Sequence, residues 1–247
     1  MADQTIQVYG KTDVGMMRTI NQDSVFVSPE PIGKLPNLFI VADGMGGHKA
    51  GDVASKAAIE KFIKYACTTH MSDPTNILDS GIVHINDEIY KMAESNKDFN
   101  GMGTTFVVAT IDDKKAYVAN VGDSRLYLIN HNTITQVTKD HSLVEDMVRM
   151  GVIDRTAAAN HYKKNVITKA IGVADSAVAT PDIFEINLKD GDILLLCSDG
   201  LTNMVPDDQI LKIVNDSDTL ELAVAKLIST ANDNGGKDNI SAVMVKP

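Results

Sequence analysis

Leu38 to His48 reads LFIVADGMGGH, an unbroken apolar run that ends on an aspartate and a cluster of glycines. A continuous run of this kind is the pattern of a strand buried on both faces. Asp43 therefore stands where the strand leaves the core, and the glycines that follow let the backbone approach a ligand closely, so that the Gly44 carbonyl is itself a candidate ligand. The same pattern recurs along the chain. Asp23 precedes SVFV, Asp123 follows YVANVG, Asp199 follows ILLLCS and Asp238 comes two residues before the final apolar run. An aspartate beside a glycine is often only a turn residue or a helix cap. Five at the ends of strands are a different matter: if the strands are neighbours, the carboxylates converge on one edge and repel one another until a cation neutralises them. An oxygen donor set with no His/Cys cluster favours hard ions such as magnesium or manganese over zinc.

Outward from this run, helices and strands are expected in groups. Val53, Ala57, Ala58, Phe62 and Ala66 recur at helical spacing between about Gly51 and Cys67. Leu78, Ile82, Ile85, Ile89 and Met92 step by four, three, four and three as one buried stripe should. Strands are expected at Thr5 to Val14, Ser24 to Ser28, Thr104 to Ile111, Ala116 to Val121 and Arg125 to Ile129. The short turns among the last three favour antiparallel pairing. After a polar excursion from His141 to Gly172, strands at Asp182 to Leu188 and Asp192 to Cys197 precede helices at about Asp207 to Val214 and Leu220 to Ala231, with a last strand at Ile240 to Val245. Grouping of this kind indicates an α+β fold with helix pairs covering sheet faces.

The chain has 247 residues, 44% hydrophobic and 23% charged, with a formal net charge of -10, enough for one domain with a substantial core. That charge argues against nucleic acid or an anionic membrane as partner. No apolar run approaches the ~20 residues of a bilayer span, and the N-terminal MADQTIQVYG has neither the basic nor the apolar part of a secretion signal. With only Cys67 and Cys197 there is no disulfide framework, and a reducing cytoplasm is the expected location.

In order the chain carries RTINQD (Arg18 to Asp23), DGMGGH (Asp43 to His48), GTT (Gly103 to Thr105), VGDSR (Val121 to Arg125), DHS (Asp140 to Ser142), SDGL (Ser198 to Leu201) and KDNIS (Lys237 to Ser241). This series resembles the metal-dependent protein phosphatases of type 2C (PPM) in their compact bacterial form, and it spans almost the whole chain. The resemblance implies a four-layer αββα sandwich, two antiparallel sheets flanked by helix pairs. It implies one catalytic domain, 1–247, with a flap at about 141–172. The activity implied is that of a protein serine/threonine phosphatase, in which metal-activated water attacks phosphoserine and phosphothreonine proteins in opposition to a cognate Ser/Thr kinase. Carried over position by position, Asp43 would bridge two core manganese or magnesium ions and the Gly44 carbonyl would bind one of them. Asp199 and Asp238 would complete the other, and Asp23 would hold water on the metals without ligating them. Asp123 with Asp199 would form a weaker third site, and Arg18 would grip the substrate phosphate. The chemistry agrees, since water shared by two divalent ions is acidified and a guanidinium neutralises phosphoryl oxygens.

One position departs from the family. Where many eukaryotic relatives have a histidine proposed as general acid, this chain has Met45, which has no proton to give. His48, or water at the third metal site, is an alternative donor. His141 reads as structural, at the base of the flap. Arg125 reads as part of a local ion pair, Met147 and Met150 as packing, and Lys139, Lys163, Lys164 and Lys169 as a locally basic face. A phosphatase with one dedicated regulatory substrate shares the same metal site. A non-catalytic module of the same fold would have lost an aspartate or Arg18, and none is missing.

Overall fold

The computed structural model describes residues 6–47, 50–159, 161–173 and 180–247. The chain opens with β1 (Gln7–Asp13), β2 (Asp23–Ser28) and β3 (Leu38–Met45), followed by the antiparallel helices α1 (Ala50–Thr68) and α2 (Pro74–Ser95). Asp73 caps α2 by accepting from the Asn76 N–H, and Pro74 follows it where a missing N–H costs nothing. Then come β4 (Gly103–Thr104), β5 (Phe106–Asp112), β6 (Lys115–Val121), β7 (Arg125–Ile129) and β8 (Ile134–Gln136). Two short helices, α3 (Leu143–Arg149) and α4 (Arg155–Ala159), lie in the 141–172 excursion. β9 (Asp182–Asn187), β10 (Ile193–Cys197), α5 (Asp199–Thr202), α6 (Asp207–Asn215), α7 (Leu220–Asp233) and β11 (Ile240–Lys246) complete the chain.

Two antiparallel sheets result, one in the order β1-β11-β10-β7-β8 and the other β2-β3-β5-β6-β9, with β4 paired to β3. β11, late in the sequence, lies between β1 and β10. Alternation along the strands explains why their sequences are apolar throughout. Phe39 and Val41 of β3 and Leu194 and Leu196 of β10 point into a core between the sheets. Leu38, Ile40 and Ala42 pack instead under α1 and α2. Leu195 and Cys197 pack with the residues of α6 and α7. Three apolar layers thus separate four layers of structure, and the αββα sandwich expected from the motifs is the fold. Among the described residues no helix is long and apolar enough to cross a membrane.

The short turn at VGDSR does not make a hairpin. β6 pairs with β5 and β9, whereas β7 belongs to the other sheet and pairs with β10 and β8. Gly122, with φ of 108°, turns the chain from one sheet to the other. A Cβ there would come within 2.6 Å of the Thr105 side chain. The crossing places Asp123 at the end of the sandwich rather than at the tip of a two-stranded turn. Two smaller expectations also change. Arg125 pairs with Asp140, fifteen residues on, and Met150 is exposed rather than packed.

Candidate active site

All five strand-end aspartates come to one end of the sandwich. β2 and β3 run antiparallel with Asp23 opposite Asp43. The Asp43 backbone is fixed on both sides by the GTT segment: its N–H donates to Thr105 Oγ1 at 2.9 Å, and its carbonyl accepts from the Thr105 N–H at 2.9 Å and from Thr104 Oγ1 at 3.0 Å. Thr105 Oγ1 in turn lies 2.7 Å from Ser124 Oγ, beside Asp123. Gly44 donates its N–H to the Gln22 carbonyl at 3.1 Å, and any Cβ at this position would overlap the Gly51 carbonyl. Only glycine lets β3 and the start of α1 approach this closely.

Asp23 is buried and divided in its bonding. Its Oδ2 accepts from Ser241 Oγ at 2.7 Å and from Ser198 Oγ at 2.8 Å, both from the opposite sheet's side, while Oδ1 has no partner among the described residues. Asp199 begins α5, and its Oδ2 accepts from Asn203 Nδ2 at 2.9 Å. Asp238 Oδ2 meets Arg18 Nη2 at 2.8 Å, and its Oδ1 accepts from the Asn239 N–H at 2.9 Å. Arg18, Asp43, Gly44, Asp123, Asp199 and Asp238 share one cavity of about 300 Å³.

The electrostatics are those of crowded charges that their partners compensate only in part. Burial pushes the Asp23 carboxyl up to about 6; hydrogen bonds from Ser241 and Ser198 oppose this, and the Asp199 and Asp238 charges add to it. Burial, then repulsion from Asp23, Asp199, Asp123 and Asp238, raises Asp43 well above the carboxylate range. Asp123 is raised to about 8 by burial and by Asp199 and Asp140, and Asp199 to about 6 by burial and Asp238, with Arg125 pulling it down. A divalent cation answers this arrangement: every donor is oxygen, the carboxylates cannot all ionise alone, and Asp23 Oδ1 has an unmet capacity to accept. Among the described residues no three acidic, histidine or cysteine side chains are already drawn together into a closed cage. Asp238 is held by Arg18 and Asp199 by Asn203, and both carboxylates line the cavity with Asp43 and Asp123.

Arg18, Asp23, Asp43, Gly44, Asp123, Asp199 and Asp238 are thus brought together as expected. His48 lies outside the described residues, and Met45 lines the cavity. His141 holds the base of the 141–172 segment: its Nδ1 accepts from the Gly122 N–H at 3.1 Å, and its carbonyl accepts from the Thr168 N–H at 2.7 Å. Four contributors were not anticipated: Thr105, Ser198, Ser241 and Asn239, all within motifs whose aspartates or glycines drew attention first. Cys197 is buried and its thiol is pushed up to about 12 by burial, which removes it as a nucleophile.

The chain resembles known proteins over nearly its whole length. The family model described as protein phosphatase 2C matches residues 22–147 and 155–240. The serine/threonine phosphatase stp of Listeria innocua is 42% identical over 242 residues, covering 96% of this chain and 94% of its own length. The crystal structure of the serine/threonine phosphatase Stp1 from Staphylococcus aureus is 36% identical with a TM-score of 0.90, covering 98% of this chain and 95% of that one. The catalytic domain of the serine threonine protein phosphatase PstP, solved in complex with 2 manganese ions, is 30% identical with a TM-score of 0.84, covering 98% of this chain and 97% of that one. With the motifs, the sandwich and the acidic cavity in place, the chain belongs to the protein phosphatase 2C family, whose members are metal-dependent.

Proposed function

We propose that this chain is a bacterial-type protein serine/threonine phosphatase that hydrolyses phosphoserine and phosphothreonine monoesters in the cytoplasm, in opposition to a cognate Ser/Thr kinase. The observation that carries the reading is the single cavity that joins Arg18 to Asp43, Asp123, Asp199 and Asp238. Asp43, the Gly44 carbonyl, Asp199 and Asp238 would hold two core manganese or magnesium ions, and Asp123 with Asp199 a weaker third. When bound, such ions supply an acidified nucleophilic water and charge stabilisation at the phosphoryl oxygens.

The chain's own residues do the rest. Arg18 is half-exposed and its carboxylate partner, Asp238, lines the same cavity, so its guanidinium is placed to exchange Asp238 for the oxygens of an incoming phosphate. Asp23 has one oxygen fixed by two serine hydroxyls, which leaves the other to accept a hydrogen bond from the attacking water and orient it. Attack of water on phosphorus breaks the P–O bond to the seryl or threonyl oxygen, which leaves with a proton. Met45, which lines the cavity, has none to give, and a water entering the cavity would serve as donor. The 141–172 segment, whose Asn165 and Ile167 reach the cavity, acts as a flap on a single catalytic domain of residues 1–247.

The test is hydrolysis of phosphothreonine and phosphotyrosine peptides with manganese, with magnesium and with excess chelator. Phosphothreonine turnover with metal and none in chelator is expected. Full activity in chelator would sink the reading.

A further inference from the structure

The loop that carries Arg18, residues 14–22 between β1 and β2, has a fixed backbone and three exposed apolar side chains. Asn239 fastens it at three points: its Nδ2 donates to the Val14 and Ile20 carbonyls at 2.9 and 3.0 Å, and its Oδ1 accepts from the Gln22 N–H at 2.8 Å. The N–H groups of Met16 and Met17 both donate to the Gly236 carbonyl, at 2.8 and 3.1 Å. Gly15, with φ of 78°, lies so close to the Asp238 carbonyl that a Cβ would overlap it. Yet Met16 is 66% exposed and Met17 72%, with Ile20 also exposed beyond Arg18. Single exposed apolar side chains are ordinary; here three lie within five residues of a pinned loop, on either side of Arg18, which itself lines the cavity.

We propose that Met16 and Met17 form a docking platform for an aliphatic or aromatic side chain next to the phosphorylated residue of the substrate, and so set a sequence preference. The proposal rests on the reading of Arg18 as the phosphate-binding group. Met17 directly precedes Arg18, with Cα atoms ~3.8 Å apart, and consecutive substrate residues have the same spacing, so a residue flanking a phosphate held by Arg18 lies within side-chain reach of this loop. A fixed loop loses little freedom on binding, and thioether side chains adapt to apolar groups of different shape. The occupant is a segment of a phosphorylated protein.

The experiment uses the full chain with manganese and phosphothreonine peptides that differ only in the flanking residue, Leu, Phe, Ser or Lys, with an aryl phosphate as the small control. kcat/KM is expected to be about tenfold higher for Leu- and Phe-flanked peptides, the discrimination typical of one apolar contact. The M16S/M17S variant should lose that preference, M16L/M17L should keep it, and all three proteins should hydrolyse the aryl phosphate equally. Indifference of the unaltered protein to the flanking residue would overturn the proposal, as would a preference that survives in M16S/M17S. So would a concentration-dependent dimer that M16S/M17S abolishes without changing selectivity, since the patch would then be covered by a second copy of the chain. Failure to hydrolyse even the aryl phosphate would instead fault the catalytic reading of Arg18 and its cavity, so the two failures are told apart.

Discussion

Removing metal from this protein should reverse the sign of its stability against pH. Folding raises the carboxyls of Asp23 and Asp199 from 3.8 to about 6 and that of Asp123 to about 8, chiefly by burial. Each therefore binds its proton more tightly in the folded chain than in the unfolded one. The stability they contribute is present below the unfolded value and is lost as pH rises through the folded value. Between pH 5 and pH 8, ionisation of one carboxyl with a folded value of about 6 removes on the order of 1 kcal/mol. Because the charges repel, the protons leave in succession, and the combined loss is on the order of 3–6 kcal/mol. For a domain of this size that corresponds to a fall in Tm of roughly 10 °C or more. His141, whose imidazole is held below its ordinary range by burial and by Lys169 against the pull of Asp182, works in the other direction, but it is one group against three. The assay is thermal unfolding in chelator and in manganese at half-unit pH steps. In chelator Tm should decline from pH 5 to pH 8. In manganese it should climb over the same window, because ions that bind the ionised carboxylates compete with protons. Asp43→Asn should flatten the decline in chelator. A chelated Tm that is constant or climbs from pH 5 to pH 8 would refute the crowding argument.

Three further outcomes are expected. Asp43→Asn and Asp238→Asn should each lower turnover by orders of magnitude and weaken manganese binding; Asp123→Asn should leave two ions bound, as counted by anomalous diffraction, and impair phosphoprotein turnover more than that of an activated aryl phosphate. Arg18→Ala should raise KM for phosphopeptides with metal affinity nearly intact, measured by steady-state kinetics beside manganese titration, and unchanged kinetics would remove Arg18 from the site. Gly44→Ala should cost about 2–4 kcal/mol in chemical denaturation, because its Cβ would displace the Gly51 carbonyl from beside β3; a change within 0.5 kcal/mol, roughly what an unconstrained surface site shows, would contradict that packing.

What the sequence disclosed follows from what leaves a periodic trace. Leu38 to Ala42 was legible as a strand because both its faces meet apolar layers. The α2 stripe was legible because Leu78, Ile82, Ile85 and Ile89 share one buried side. The carboxylates were legible because each follows or precedes such a strand. The change of sheet at Gly122 was not, since a short turn is equally compatible with a hairpin, and the choice lies in β9 and β10 claiming the free edges of β6 and β7. Nor were the hydroxyls of Ser198 and Ser241: they meet Asp23 across 175 and 218 residues of chain, and a contact of that separation imposes no local pattern. The three bonds of Asn239 to the Arg18 loop escaped notice for the same reason.

The position of β11 bears on how the protein is made. Its strand fills the gap between β1 and β10, so while the ribosome is still short of Ile240, the earliest strand has no neighbour in its sheet on that side and β10 lacks one of its two. The same stretch delivers Asp238 and Asn239 to the cavity and Ser241 to the Asp23 carboxylate. A nascent chain cut or stalled before it therefore exposes two unpaired strand edges and lacks one of the five carboxylates at this end of the sandwich, so that the acidic cavity is completed only when the sheet closes.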